Sequence, residues 1–344
     1  MAGSEVSFVL PGLIWPGQGI GSAIESLNLP ALATLAGSGR VERGPGQTWL
    51  RYLSRQWGAE ALDWAALRLT GERETTEAVA PGILCADPVS LGFSSDALIL
   101  RGPREVALSP QEATELISTL NAEFSDAGQW LMTSPAHFYL LPHADPDTSF
   151  HPLDDVLGRP VAYFQPEGPR AREYARLSNE LQVCLHNHPV NMRRREQGLL
   201  NANGIWLWGE SPASLNPLLP PAAHVFSNDP IVTGLARRAG CSRLKSPDEA
   251  FSGRPGHSWV HDDRALLAAR DGDFAGWTDA LSVIDRELLQ PAIEGWQKGR
   301  INELRLLAPS DKGMLQITLP RIARWAFWRR PADRKTLAGL LQSA

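Results

Sequence analysis

The chain has 344 residues and a formal net charge of -5, with 43% hydrophobic and 21% charged residues. This composition is typical of a globular protein that is long enough for two domains, or for one domain with a large insertion. Because no strongly basic balance is present, general nucleic-acid binding is disfavoured and no nucleic-acid partner is expected.

The cysteines and the N-terminal sequence indicate which further classes of protein are disfavoured. Cys85, Cys184 and Cys241 lie far apart and include no CxxC pair, so they predict neither a disulfide framework nor a cysteine zinc site. The first 15 residues lack the basic region of a secretory signal, and no apolar run reaches the roughly 18 residues of a membrane span. We therefore expect a cytoplasmic protein with no membrane span.

The N-terminal part of the chain predicts a strand followed by helices. Residues 6–10 form an apolar run closed by Pro11 and Gly12, which predicts a buried first strand. Residues 24–35 have helical apolar spacing. Residues 49–69 carry apolar side chains at three- and four-residue steps, which predicts one long amphipathic helix.

Residues 82–165 have a different, strand-rich pattern. Strands are predicted at 83–85, 97–100, 130–133 and 137–141. Ser109 followed by Pro110 and Glu112 predicts the start of a helix that runs to residue 124. We interpret 82–165 as an α+β insertion domain, followed by a connecting helix within 166–189.

The remaining sequence returns to alternating strands and helices. Strands are predicted at 223–226, 258–261 and 303–307, and helices at 229–239 and 274–298. Such alternation on both sides of the insertion indicates an α/β fold with a mostly parallel sheet. Its core domain is predicted to comprise residues 1–81 and 190–344.

Residues 187–209, NHPVNMRRREQGLLNANGIWLWG, predict an arginine-rich loop that enters a strand. Guanidinium groups match phosphate and carboxylate in two-point geometry, which makes this loop a candidate anion site. The alternatives are a helix end with ion pairs and a structural His-Pro turn. The predicted ligand-binding residues are His188, Asn191, Arg193, Arg194 and Asp155.

The same segment resembles a known family. HPVNMRRREQGLLNANGIWLWG is similar to the segment of the archaeal-type cofactor-independent phosphoglycerate mutases that leads from the insertion domain into the next core strand. Residues 154–160, 29–39 and 270–274 resemble further parts of that family. The resemblance implies an alkaline-phosphatase-like core, and a proteobacterial mutase-like or regulatory branch is the most similar.

The resemblance also implies a mechanism, in which a serine nucleophile lies between two divalent metals held by acidic and His ligands. The family's nucleophile position falls at Gln47 in this sequence. Its ligand positions fall at Pro11, Leu266, Arg270, Ser310 and Asp311. A degenerate metal site is therefore expected.

A few residues remain as candidates for chemistry. Thr48, next to the nucleophile position, is the one candidate catalytic residue. Asp271, Asp273 and Asp311 are the candidate metal ligands, although the first two also suit the start of a helix. His257 and His261 have the spacing of a zinc pair, but a strand does not bring two such residues together.

The C-terminal residues 322–330, IARWAFWRR, are both aromatic and basic. They suit either a terminal helix docked on the core or a surface that meets a protein partner, a membrane or nucleic acid.

These observations lead to one functional hypothesis and one alternative. The chain is interpreted as a catalytically degenerate phosphoglycerate-mutase-like protein with a binding or regulatory role toward a phosphorylated small molecule or a protein partner. No cofactor is expected under that hypothesis. The alternative is an active metal-dependent mutase or phosphatase with a relocated site, which would require manganese or zinc.

Overall fold

The computed structural model describes residues 3–17, 21–25, 27–73, 82–94, 97–212, 217–326 and 328–342. The chain forms two compact units. Unit 1 comprises Met1–Glu60 and Pro217–Ala344, and unit 2 comprises Ala61–Asn216.

The strands of both units, in chain order, are β1 Ser4–Val9, β2 Arg40–Gly44, β3 Leu84–Ser94, β4 Ala97–Arg101, β5 Gly128–Ser134, β6 His137–Pro142, β7 Gly204–Trp208, β8 His224–Phe226, β9 Ser242–Arg243, β10 Gly256–His261, β11 Glu303–Pro309 and β12 Met314–Leu319.

The α-helices are α1 Gly21–Glu25, α2 Pro30–Ser38, α3 Trp49–Gln56, α4 Trp64–Arg73, α5 Pro103–Val106, α6 Pro110–Glu123, α7 Leu153–Val156, α8 Ala171–His186, α9 Pro189–Glu196, α10 Pro230–Arg238, α11 Asp248–Phe251, α12 Leu266–Asp271, α13 Phe274–Ile284, α14 Gln290–Gln297 and α15 Arg334–Leu341. Among the described residues, no helix is both long and apolar enough to cross a bilayer.

Unit 1 contains a mixed sheet with the strand order β2-β12-β11-β1-β10-β8-β9. Strands β11, β1, β10, β8 and β9 are parallel, whereas β12 and β2 add an antiparallel edge. Central parallel strands are covered on both faces, and five of the six residues of β1 are accordingly buried although Ser4 and Ser7 are polar. The predicted mostly parallel sheet is confirmed.

One buried carboxylate links two helices of unit 1. Asp285 lies where α13 passes through a π-helical turn into α14, and the helix predicted at 274–298 therefore contains that irregular turn. The Asp285 carboxylate accepts hydrogen bonds from the backbone N–H groups of Leu32 (2.7 Å) and Ala31 (3.2 Å) at the start of α2. Helix α2 lacks a capping side chain of its own, so Asp285 supplies the missing acceptor.

The single helix predicted at 49–69 is wrong. The structure has α3 and α4 there, separated at residues 57–63. Gly58 adopts φ +66°, a conformation that favours glycine and ends the first helix. Asp63 then accepts a hydrogen bond from the Ala66 N–H (2.9 Å), which caps the start of α4. Apolar residues continue across the break because α3 buries one face and α4 is buried on most of its sides.

Unit 2 contains a separate antiparallel sheet with the order β4-β3-β6-β5, and β7 also pairs with β3. The predicted start of α6 is confirmed, since Ser109 and Glu112 form a reciprocal capping box. Behind the sheet, Arg68 and Asp87 form a buried ion pair of 2.7 Å. The sequence pattern did not indicate this pair.

The unit boundaries differ from the predicted domain boundaries of 82 and 189. Unit 2 starts at Ala61, because Arg68 of α4 bonds to Asp87 of β3. It ends at Asn216, because β7 pairs with β3. The predicted connecting helix is α8, whose buried leucines join the unit 2 core. Residues 190–216, predicted as part of the core domain, therefore lie in unit 2.

Candidate functional site

The carboxyl ends of the parallel strands in unit 1 are the first candidate site, because ligands of open α/β sheets bind at that edge. The residues that follow β1, β8, β10 and β11 are Leu10-Pro11-Gly12, Ser227-Asn228-Asp229, Asp262-Asp263 and Ser310-Asp311. The sequence had assigned two of these four turns, those after β1 and β11, to the implied site.

The loop predicted to hold the nucleophile lies against the turn after β11. The Gln47 N–H donates to the Ser310 carbonyl at 2.9 Å, so the structure brings these two predicted positions together. The Ser310 hydroxyl is bonded within its own turn, to the Gly313 carbonyl at 2.7 Å. Thr48 is the N-cap residue of α3, and its side chain makes no capping hydrogen bond.

The turn after β1 is closely packed. A Cβ atom added to Gly12 would lie 2.3 Å from the Cα atom of Leu266, and the Trp277 indole N–H donates to the Gly12 carbonyl at 2.8 Å. Pro11, next to Gly12, and Leu266 thus occupy two implied ligand positions in this packed turn, and neither has a side-chain atom that binds a metal.

Two of the acidic side chains near this edge have structural partners. Asp229 caps α10 through the N–H groups of Ile231 (2.7 Å) and Val232 (3.1 Å). Asp262 pairs with the guanidinium of Arg264 at 2.7 Å. These carboxylates serve a helix terminus and an ion pair, which are ordinary structural roles.

The candidate metal ligands of the late helix show a similar pattern. Asp273 accepts from the Gly276 N–H at 3.0 Å and caps α13, and Asp271 lies 3.8 Å from the guanidinium of Arg270. Among the residues that the structure describes, no three His, Cys, Asp or Glu side chains form a group suited to a metal ion. The residues present at this edge do not fit a pair of divalent metals.

An aromatic layer, which we define as Trp49, Tyr52, Trp57, Trp259 and His261, lies next to this edge. The imidazole of His261 stacks against Trp49 (ring centroids 4.8 Å apart) and against Trp259 (6.0 Å). Its Nδ1 atom lies 2.9 Å from the Ser227 hydroxyl. Burial lowers the pKa of His261, and the nearby carboxylates oppose that shift only in part. The ring therefore favours its neutral form.

The sequence contained a signal for this layer that our prediction did not use. Trp259 and His261 are two residues apart on β10 and so lie on one face, and Trp49 and Tyr52 are three residues apart on α3. His257 is on the same face of β10, but a four-residue step along a strand spans about 13 Å. It bonds to Ser7 at 2.8 Å instead, so the structure does not form a zinc pair from these histidines.

The second candidate site is the arginine-rich segment of unit 2. The predicted loop is wrong, because Pro189–Glu196 forms helix α9 with His188 as its N-cap. The Val190 N–H donates to His188 Nδ1 at 3.2 Å, and His188 Nε2 lies 2.9 Å from the Thr119 hydroxyl. A proline at the first helical position and an N-cap acceptor explain why a helix starts here.

Asn191 of α9 connects the end of α8 to the segment that precedes β7. Its side-chain amide donates to the carbonyls of Leu185 (2.7 Å) and Ala202 (2.9 Å) and accepts from the Ala202 N–H (2.8 Å). The residue is completely buried. These bonds account for Asn191 without a ligand, and its role in ligand binding stays a prediction.

The consecutive arginines have separate environments. Arg194 is buried, donates to both carboxylate oxygens of Glu112 (3.0 and 2.9 Å) and also bonds to the Leu200 carbonyl (2.7 Å). Arg193 is about half exposed and pairs with Glu115 at 2.7 Å. Arg195 reaches the His186 carbonyl at 3.0 Å. Both Arg193 and Arg194 thus form ion pairs, but Arg194 is buried whereas Arg193 stays accessible.

A cleft of about 400 Å³ opens beside this helix pair. Its lining combines charged and amide side chains from α6 and α9, namely Gln111, Glu112, Glu115, Arg193, Arg194 and Gln197, with Ala107, Ser109 and Leu199. Asp155 is placed on α7, and its backbone carbonyl accepts from Arg159 at 3.0 Å. The cleft brings together Arg193 and Arg194, but Asp155, His188 and Asn191 are not among its lining residues.

Known proteins with similar sequences are named phosphoglycerate mutases. No protein-family model matches the sequence. The chain is 26% identical over 186 residues to the 2,3-bisphosphoglycerate-independent phosphoglycerate mutase of Methanothrix thermoacetophila, covering 48% of this chain and 47% of that protein. It is 27% identical over 180 residues to a probable enzyme of the same name from Geobacter sulfurreducens, covering 46% and 45%. The matches span less than half the length of these relatives.

Among solved structures, a protein from Pyrococcus horikoshii aligns with a TM-score of 0.52 and 14% sequence identity, covering 99% of this chain and 94% of that one. At this identity the likeness shows the fold alone. The sequence relationships support the predicted assignment to the cofactor-independent phosphoglycerate mutase-like family. Membership of a proteobacterial regulatory branch stays a prediction.

Proposed function

We propose that this member of the cofactor-independent phosphoglycerate mutase-like family is catalytically degenerate and has a binding or regulatory role. The supporting observation is the set of residues at the positions that the resemblance assigns to the nucleophile and the metal ligands. Five of these six positions hold Pro11, Gln47, Leu266, Arg270 and Ser310, and the sixth keeps a carboxylate, Asp311. Of the five, two are apolar, two are neutral polar groups, and the guanidinium of Arg270 would repel a cation.

Contacts at the strand edge support this proposal, because three nearby carboxylates already serve structural partners. Asp229 and Asp273 each cap a helix, and Asp262 is paired with Arg264. A carboxylate that accepts backbone N–H bonds at a helix start stabilises the fold by about 1 kcal/mol, and metal binding there would oppose that contact.

The binding role is assigned to the cleft beside α6 and α9. Its volume of about 400 Å³ is within the usual range for small-molecule sites. The exposed pair between Arg193 and Glu115 stabilises the fold by at most about 1 kcal/mol, so a phosphate group can compete for this guanidinium. The start of α6 adds the positive end of a helix dipole. A phosphorylated small molecule, or a phosphorylated or acidic protein partner, suits this combination.

Binding is tested by thermal unfolding in the presence of 3-phosphoglycerate, with inorganic phosphate as a second probe. A ligand of the folded state raises the melting temperature. The rise is expected for the natural protein and should be lost in Arg193→Gln. Arg176→Gln is the matched control, because Arg176 forms a similar exposed pair with Glu180. An equal rise in the Arg193 variant would assign binding to another surface.

The alternative is an active metal-dependent mutase or phosphatase with a relocated site that uses Thr48, Asp311, Asp271 or Asp273. The names of the sequence relatives favour this alternative. It requires manganese or zinc, and its activity should fall in Thr48→Ala or in Asp311→Asn.

Interconversion of 3- and 2-phosphoglycerate separates the two functions. The natural protein is assayed with manganese or zinc, beside the Geobacter sulfurreducens relative as a control. The degenerate protein should show no turnover above the protein-free reaction. Turnover that a chelator abolishes would establish the alternative.

A further inference from the structure

A basic aromatic patch, which we define as Arg321, Ile322, Trp325, Trp328, Arg329 and Arg330, lies on the surface of unit 1. Ile322 and Trp325 are each 76% exposed, and Trp328 is 69% exposed. Single exposed apolar residues are common on proteins, but three large ones within seven residues are unusual. We infer that this patch binds the headgroup region of an anionic lipid surface.

The patch is held in place by contacts of its smaller and inward-facing residues. The 3₁₀ helix Arg321–Trp325 buries Ala323, and the guanidinium of Arg324 bonds to the Ile301 carbonyl and lies 5.6 Å from the Trp296 ring centroid. Further along, the Ala332 N–H donates to the Ala33 carbonyl at 2.9 Å. Because the inner side of the segment is occupied in this way, the larger apolar side chains face outward.

The charge of the segment contrasts with that of the remaining chain. Residues 321–335 contain six basic residues and one acidic residue, which gives a net charge of +5. The whole chain carries -5, so all other residues together carry -10. Such an asymmetry orients the protein toward an anionic surface, with the acidic remainder directed away from it.

The arginines of the patch are not neutralised within the part of the chain that the structure describes. No ion pair there includes Arg321, Arg329 or Arg330. The guanidinium of Arg329 donates to the Ser38 carbonyl at 2.6 Å, which is a neutral acceptor. Arg193 and Arg194, by contrast, each have a carboxylate partner.

An anionic lipid surface can contact both the large apolar side chains of the patch and its arginines. Indole rings favour the headgroup level of a bilayer, an isoleucine side chain enters the acyl boundary, and guanidinium groups pair with lipid phosphates. A nucleic acid would use the cations but leave Ile322 in water. A purely apolar partner would bury unpaired guanidinium groups at a high cost. This inference concerns unit 1 only and is independent of the proposed ligand cleft.

The test measures co-sedimentation of the full chain with vesicles of phosphatidylcholine, with and without a minority of phosphatidylserine. Binding to the anionic vesicles and a blue shift of tryptophan emission are expected, with affinity falling as salt is added. Trp325→Ala combined with Ile322→Ala should weaken binding about tenfold or more, and so should Arg321→Gln combined with Arg330→Gln.

Phe93→Ala and Tyr163→Ala are the matched controls, because both side chains are about 80% exposed elsewhere and should leave vesicle binding unchanged. Thermal unfolding of each variant confirms that the fold is retained. The inference is overturned if the natural protein does not bind anionic vesicles or if the patch variants bind as well as it does. It is also overturned if the variants abolish self-association or binding to a polyanion such as heparin without any effect on vesicles.

Discussion

The guanidinium of Arg194 donates to both carboxylate oxygens of Glu112, at 3.0 and 2.9 Å, and this pair joins α9 to the start of α6. Glu112 also accepts from the Ser109 N–H at 2.8 Å, so one carboxylate serves the capping box and the ion pair together. Arg194, which the sequence predicted to bind an anion, thus holds two helices of unit 2 together.

The first prediction concerns the stability of this pair. Arg194→Met should destabilise the protein by about 3–5 kcal/mol, because the change leaves Glu112 partly buried without its cation. Replacing both residues, as Arg194→Met with Glu112→Gln, should recover part of the loss. Arg193→Met should cost about 1 kcal/mol or less, since its pair is exposed. Denaturant unfolding measures all three, and equal effects of the two single arginine changes would contradict the assignment.

The second prediction concerns Asp273, which the sequence left open between metal ligand and helix cap. Asp273→Ala should lower the free energy of unfolding by about 0.5–2 kcal/mol, because the Gly276 N–H loses its acceptor. Asp271→Ala is the neighbouring control and should change stability less. Both effects should be the same with and without added manganese. A cost that appears only with the metal would show a ligand role.

The third prediction follows from the lowered pKa of His261. Burial favours the neutral ring in the folded state, so the unfolded state binds more protons once the pH falls below the ordinary value of 6.5. The stabilisation is complete above that pH and is lost as the pH decreases through the folded-state pKa. The loss is at most about 1.4 kcal/mol per pH unit.

Unfolding of the natural protein and of His261→Phe at pH 8 and pH 5.5 tests this prediction, since phenylalanine keeps a ring beside Trp49 but does not titrate. The variant should lose less stability on acidification. His143→Phe is the control, because His143 is exposed and bonds only to the Ser125 carbonyl among its described contacts. The same acid sensitivity in the His261 variant and the natural protein would assign the effect to other groups.

Elements defined by local chemistry could be predicted from the sequence. The start of α6 followed from Ser109, Pro110 and Glu112, because capping depends on residues three apart. Strand β1 followed from the apolar run at residues 6–10, and β10 was predicted from the short segment 258–261, which the structure buries. Strand β2 at the antiparallel edge did not, because it is exposed along its whole length and has no apolar pattern. Strand β12 was missed although its buried residues alternate, which is a strand signal.

Features that depend on distant partners could not be predicted. The stacking of His261 on Trp49 joins residues more than 200 positions apart, and the pairing of Arg194 with Glu112 spans 82 positions. Apolar periodicity also continued through the break at Gly58, because it records which faces are buried and not where the backbone turns. The residue types at the candidate strand edge could be read from the sequence. The hydrogen-bond and ion-pair partners of its carboxylates could be identified only from the fold.

Catalytic degeneracy is tested most directly by a titration of the purified protein with manganese, followed by the electron paramagnetic resonance signal of the free ion. If the metal site is degenerate, the free-ion signal should rise in step with the added metal, as it does in buffer. Tight binding of two manganese ions per chain, lost in Asp271→Asn, Asp273→Asn or Asp311→Asn, would contradict the proposed degeneracy.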